Sequence, residues 1–260
     1  DRVKVHVRMS DGERPAGEMS LNGQLWMDGN AWHSDLTSIG RSFQVMDEPR
    51  LATMDANWLV HLTGALKAPD LEGDFAVLSG AFAFGQQRSV RALKSDSSVF
   101  NAQEFRKHAH ISLLNVLLGN DVRLKSRDAN VKLSGEMEVG GALSNPFVDG
   151  EIYADRGTYR VDLGALKRTF RVDSGTVRLA GTLDLPASLD IWTSYVVRRE
   201  ADDLNILARL TGTTDAPRLQ LVSKDLGSAL AQSEIISYLI FGAPSFALDA
   251  KGSSTVRSAY

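Results

Sequence analysis

The feature that most limits how this chain can fold is a period of two. From Arg2 to Met9, Val3, Val5, Val7 and Met9 alternate with Arg2, Lys4, His6 and Arg8. From Val131 to Val139, Val131, Leu133, Met137 and Val139 alternate with Lys132, Ser134, Glu136 and Glu138. Leu189, Ile191, Thr193, Tyr195 and Val197 share one parity, and Leu204, Ile206, Ala208 and Leu210 share another. Successive side chains of a strand point to opposite faces, so these runs describe strands with one apolar and one polar face. Asn22-Gly23, Asp28-Gly29, Gly119-Asn120-Asp121, Gly140-Gly141 and Asp149-Gly150 punctuate them, which predicts many strands of about 6–9 residues. The expected class is all-β. One stretch departs from the pattern. Leu226, Ala229, Leu230, Ile236, Leu239 and Ile240 approach helical spacing, and Gly242 with Pro244 forms a stop. This predicts one C-terminal helix over 226–242, then a loose tail over 243–260.

The strand patterns repeat. Arg50-Leu51 and Asp55-Ala56-Asn57 match Arg123-Leu124 and Asp128-Ala129-Asn130, five identities in eight positions. Downstream, Pro69, Gly73 and Gly80 find counterparts in Pro146, Gly150 and Gly157. Leu62-Thr63-Gly64 with Ala68-Pro69 and Leu71 reappears as Leu210-Thr211-Gly212 with Ala216-Pro217 and Leu219. The unit is roughly 70–77 residues, with boundaries expected near 1–42, 43–114, 115–188 and 189–225. One such unit cannot bury its apolar side alone, so the units must stack into an elongated β structure.

Composition removes several alternatives. With 43% hydrophobic residues in 260, the chain can build a core and is not a disordered one. A net charge of −3 argues against a general nucleic-acid binder. The absence of Cys excludes disulfides, thiolate metal sites and a cysteine nucleophile, without fixing the compartment. No apolar run reaches membrane-spanning length. The opening at Asp1, directly into a strand pattern, reads as a piece of a longer polypeptide.

Motifs for chemistry are missing. The sequence has no Gly-x-Gly, no Gly-Lys, no Gly-x-Ser-x-Gly and no His-Glu-x-x-His, which excludes dinucleotide, P-loop, serine-hydrolase-elbow and zincin signatures. His108 and His110 on a strand would share a face, but no third ligand stands at a diagnostic spacing, so they read as solvated histidines. Asp202-Asp203 and Arg198-Arg199-Glu200 sit between alternating runs and read as a hairpin turn. Trp26, Trp32, Trp58 and Trp192 are too dispersed for a membrane-barrel girdle or a nucleic-acid stacking platform. No enzyme, metal or cofactor is indicated.

The apolar face itself remains. It either closes into a core between two sheets or lines an open trough on a curved sheet. A trough suits acyl chains: a chain of about 16 carbons, at ~0.8 kcal/mol per buried methylene, prefers it to water by roughly 12 kcal/mol. Over 130–242 a further order emerges. Asn130-Val-Lys-Leu-Ser-Gly135 and Gly140 lead to Asn145-Pro146, Gly150-Glu-Ile and Gly157-Thr-Tyr159. Phe170-Arg-Val, Gly175-Thr-Val, Leu189-Asp190-Ile191 and Ala216-Pro217-Arg-Leu219 follow, closed by Ser233-Glu234-Ile235-Ile236-Ser237-Tyr238-Leu239-Ile240-Phe241-Gly242. This ordered set resembles the C-terminal domain of the TamB family, the AsmA-like inner-membrane subunit of the translocation and assembly module of Gram-negative envelopes.

The resemblance implies a periplasmic segment of a longer protein anchored in the inner membrane, with a taco-like sheet around an apolar concave interior. It implies a non-enzymatic conduit for phospholipid acyl chains, outer-membrane protein assembly with a TamA-like Omp85-type barrel, or both. Residues expected to line the groove are Val131, Leu133, Met137, Val139, Leu189, Ile191, Leu204, Ile206 and Leu210. Ile235, Ile236, Leu239 and Phe241 of the helix would either cap the groove or dock on the partner. Outer-membrane client proteins are further expected partners, a client strand pairing with an exposed sheet edge. The competing reading is a closed β-sandwich module for protein binding or adhesion, with no lipid role.

Overall fold

A computed structural model describes residues 2–10, 17–48, 52–83, 105, 107–163, 166–199, 203–223 and 230–246. They form twelve strands in one sheet, ordered as they occur in the chain, and one C-terminal helix. The strands are β1 (Arg2–Ser10), β2 (Glu18–Asp28), β3 (Ala31–Glu48), β4 (Ala52–Ala65), β5 (Ala68–Ala83) and β6 (His110–Lys125). They continue as β7 (Ala129–Ala142), β8 (Phe147–Leu163), β9 (Leu166–Thr182), β10 (Ser188–Val197), β11 (Leu204–Thr213) and β12 (Pro217–Ser223), and the helix is α1 (Gln232–Phe241). The all-β class with one C-terminal helix is therefore the observed one.

The strands are longer than the sequence pattern suggests. β3 has 18 residues and β12 has 7. The reason lies in the glycines. Gly29 forms a true turn between β2 and β3, whereas Gly23, Gly119, Gly140 and Gly150 lie inside strands. At Gly73 and Gly150 the backbone takes φ of +145° and +155°, where a Cβ would drive into the carbonyl oxygen of the neighbouring strand, Leu59 O and Glu136 O respectively. These glycines let two strands approach closely without ending either of them. The repeated hairpin is also built alike in its copies. Gly64 faces Pro69 and Leu62 faces Leu71 across β4–β5; Gly212 faces Pro217 and Leu210 faces Leu219 across β11–β12. Gly64 and Gly212 have φ of +89° and +98°, and Gly141, five residues before Pro146, has +87°.

The β5–β6 pairing departs from the meander. β1 through β5 pair antiparallel in succession, but β5 and β6 run parallel, with register shifts at Leu71/Glu72 and Val77/Ser79. A parallel neighbour needs a crossover rather than a tight turn. Most of the connecting residues lie outside those described.

The chain packs as two compact units, one made of residues 1–126, 132–153 and 178–187, the other of 127–131, 154–177 and 188–260. In the first, Val77, Leu118 and Val122 are buried, with Met54, Phe75, Phe82, Leu133, Met137 and Ile152 packed against them. In the second, α1 lies on the sheet: Ile235, Tyr238 and Leu239 pack on Phe170, Val197, Leu204, Ile206 and Ala208. Gly242, at φ +72°, ends α1 and donates its N–H to Tyr238 O at 2.9 Å, the stop its sequence predicts. Ala231 precedes the helix in an extended conformation, and 226–229 of the expected helix lie outside the described residues. So does the tail from 247 onward.

Replacing Gly73 with Val combines a left-handed φ with a clash against Leu59 O. It should cost about 3 kcal/mol, read as a lower urea midpoint at unchanged slope.

Candidate functional site

Cross-strand register shows which side chains share a face. In the first unit, one row runs Val5, Gly23, Leu36, Leu62, Leu71, Ile111 from β1 to β6. The rows beside it are equally apolar: Val7, Leu21, Ser38, Val60, Gly73, Leu114, and then Met9, Met19, Gly40, Trp58, Phe75, Val116. Gly40 leaves the space that the Trp58 ring fills, and that ring stacks on Phe75 at 6.0 Å and meets Phe43 edge-on at 5.6 Å. The indole N–H is satisfied within the same face, donating to Ser38 Oγ at 2.8 Å. Toward β1 this face is uncovered, with Val3, Val7 and Met9 exposed.

The opposite face is more polar, though it also carries Ile39, Leu59, Leu113 and Leu117, the last three 42%, 44% and 51% exposed. Its ladders include His6 with Asn22 at 2.5 Å, Thr37 with His61 at 3.1 Å, and Asp74 accepting from Asn115 Nδ2 at 2.8 Å. Asp70 accepts from Ser112 Oγ at 2.5 Å and lies 3.1 Å from His110 Nδ1; these contacts hold its carboxyl below its ordinary pKa, Ser112 most strongly. Glu151 accepts from Tyr153 Oη at 2.6 Å and from Arg178; Tyr153 and then Arg178 lower the Glu151 pKa, and the Glu151 carboxylate in turn raises that of Tyr153.

In the second unit the rows across β10, β11 and β12 run Ile191, Leu210, Leu219, then Thr193, Ala208, Leu221, then Tyr195, Ile206, Ser223. Helix α1 covers one end of this apolar face, where Leu204, Ile206, Ile235 and Leu239 have essentially no exposure. At the other end Leu219 is 56% exposed, while Leu189, Ile191 and Leu210 are half-buried. Two cations fasten the helix. Arg168 Nη2 donates to Ile240 O at 3.1 Å at the helix C-terminus, and Arg199 lies over the Tyr238 ring at 5.6 Å. Glu234 in the first turn accepts from Ser245 N at 3.0 Å and Ser245 Oγ at 2.5 Å, folding the following residues back on the helix. On the polar face, Arg209 donates to both Asp190 oxygens at 2.9 and 2.8 Å and covers Trp192 at 4.8 Å; this pair holds the Asp190 carboxyl below its ordinary pKa.

The sequence-derived groove residues are thus distributed over two apolar faces. Leu133 and Met137 pack on the Val77 cluster, and Val139 is half-buried in β7. Val131 is buried in the second unit. Ile191 and Leu210 face each other directly, Leu189 faces Gly212, and Leu204 and Ile206 lie under the helix. The helix residues divide: Ile235 and Leu239 are buried, whereas Ile236 and Phe241 are 41% and 61% exposed. The groove set read from the sequence holds no residue of β1 to β6, although the parity of Val3, Val5, Val7 and Met9 was read and the Leu62–Leu71 hairpin repeats Leu210–Leu219, which places Leu62 and Leu71 on the corresponding face.

His108 is not on a strand with His110. It lies in a helical turn ahead of β6, so the His-x-His spacing does not produce a shared strand face. Among the described residues no group of three His, Asp or Glu could hold a metal. Arg199 and Asp203 flank a connection whose residues 200–202, including Glu200 and Asp202, lie outside those described. No helix among the described residues is long and apolar enough to cross a membrane.

Long amphipathic strands added one after another and a single C-terminal helix packed on the sheet define an all-β domain built by strand addition. The family described as TamB C-terminal domain matches residues 8–259, essentially the whole chain, and the chain belongs to that family. That family serves the translocation and assembly module of the cell envelope, as a non-enzymatic component.

Because Asp190 is held below its ordinary pKa, its pairing contributes stability above about pH 4 and loses it as pH falls through the folded value. Asp190→Asn should therefore melt below the unsubstituted chain near neutral pH, and the gap should close in acid.

Proposed function

We propose that the chain is a passive conduit segment. Phospholipid acyl chains lie against the apolar face of each unit while the polar face meets water. The observation that carries this reading is the row structure of those faces. Apolar residues stand opposite one another strand after strand, yet Val3, Val7, Met9 and Leu219 keep large exposed areas. A face built only to close a core would cover them. The proposed setting is the periplasm, within a longer protein anchored in the inner membrane. The proposed partners are a TamA-like Omp85-type barrel and outer-membrane client proteins.

Helix α1 acts in this reading as a cap. Its buried side, Ile235, Tyr238 and Leu239, seals the Leu204–Ile206 end of the face. Its exposed side, Ile236 and Phe241, is left for the barrel partner.

Leu133→Arg with Ile191→Arg puts a charge on each apolar face at half-buried positions. Lipid transfer between membrane fractions should fall at least about ten-fold with the β signature in circular dichroism retained; unchanged transfer would reject the conduit. The cap has its own test. Ile235→Asp with Leu239→Asp should release the helix and raise binding of an apolar fluorescent dye, while Ile236→Asp with Phe241→Asp should leave dye binding unchanged and weaken association with the barrel. Equal dye binding by both variants would remove the capping role.

A further inference from the structure

The more polar face of the first unit carries an apolar patch in mid-sheet. Across β4, β5 and β6 two of its rows run His61, Glu72, Leu113 and Leu59, Asp74, Asn115. These six side chains line a shallow depression of about 210 Å³. Leu59 and Leu113 are exposed there, and Leu117 lies exposed two positions beyond Asn115 on β6. Exposed apolar groups rimmed by polar residues are the usual form of a binding surface.

The carboxylates say what kind of partner fits. Glu72 and Asp74 stand at alternate positions of β5, roughly 6.7 Å apart along the strand. Asp74 accepts from the Asn115 amide, and among the described residues no Lys or Arg pairs with either carboxylate. The repeats show that this acidity is not demanded by the fold. The β11–β12 hairpin keeps the register, with Gly212 opposite Pro217, yet has Arg218, Gln220 and Val222 where β5 has Asp70, Glu72 and Asp74. Counted from Pro146 as from Pro69, Glu151 stands where β5 has Asp74. There the chain itself supplies a cation, Arg178 of β9, whose Nε donates to Glu151 at 2.8 Å.

We propose that this patch docks a segment of a separate polypeptide in which arginine stands among apolar residues. The aliphatic stem of the arginine lies along Leu59 and Leu113, as long cationic side chains bury their methylenes on apolar surface, and its guanidinium meets Glu72 and Asp74. A neighbouring apolar residue of the partner covers Leu117. Anionic lipid headgroups are repelled by the same carboxylates, which favours a polypeptide over a bilayer surface. The patch lies on the face opposite the proposed lipid path, so lipid carriage can fail without affecting it.

The test uses the 260-residue chain and a fluorescent peptide of alternating Leu and Arg. Anisotropy should show saturable binding that weakens with added salt. The same peptide with citrulline, the uncharged isostere, in place of Arg should bind at least about ten-fold more weakly. Glu72→Gln with Asp74→Asn should lose the same margin, and so should Leu59→Ser with Leu113→Ser, both with the β signature in circular dichroism retained. Glu72→Arg with Asp74→Arg should exchange the Leu/Arg peptide for a Leu/Glu peptide, a gain that a misfolded chain would not show. Equal binding of the citrulline peptide, unchanged binding by either double variant, or no exchange of preference would overturn the proposal. So would a photocrosslink from a probe at Leu117 into residues 84–104 of the same chain, which would assign the patch to the chain itself. Self-association that Glu72→Gln with Asp74→Asn abolishes would assign it to a second copy and overturn the proposal equally.

Discussion

Water's poor tolerance of apolar side chains, applied to strands that alternate strictly, is the constraint on which the rest depends. Each alternating strand presents one side that must be covered, and adding strands edge to edge does not cover it; the sheet only makes the apolar face wider. From β1 to β6 the rows stay apolar through six strands in register, and at 191–223 the same holds through three. Something has to meet these faces. In the first unit part of the answer is internal, through Val77, Leu118 and Val122 and the side chains packed on them. In the second it is α1, which buries Leu204 and Ile206 completely.

The helix shows how a weak local preference is settled by packing. Ala231 provides no side-chain cap, and no basic residue lies in the last turn. What holds the helix is its apolar side, at about 2 kcal/mol for each fully buried aliphatic side chain, with Gly242, Arg168 and Arg199 fixing its end and its seat. Beyond the helix Leu189, Ile191 and Leu210 are half-buried and Leu219 is exposed, and this is the part of the face that the proposed function assigns to a cargo acyl chain.

Much of this was legible in the residues. Parity alone put Ile191 and Leu210 among the residues of an apolar face, and the repeated Leu-Thr-Gly and Ala-Pro strings marked a repeated strand–turn–strand unit, whose registers the structure shows to be alike. Other features were hidden for physical reasons. Glycines read as strand ends because turns use them, yet Gly23, Gly73 and Gly150 serve close strand approach in mid-strand. The parallel β5–β6 pairing leaves no periodic trace, since parallel and antiparallel strands alternate alike. His108 and His110 fell apart because β6 begins only at His110. Burial of Val131 against half-burial of Val139 depends on neighbours distant in the chain, which parity does not name.

The central claim is that the apolar face, rather than the polar one, is the lipid path. Site-specific photocrosslinking tests it directly, with benzoylphenylalanine placed at neighbouring residues of opposite parity in the chain within its native envelope. Probes at Leu62, Ile191 and Leu210 should form phospholipid adducts, whereas probes at Thr63 and Thr211 on the polar face should not. Adducts of equal yield on both faces, or none at Leu62, Ile191 and Leu210, would contradict the account.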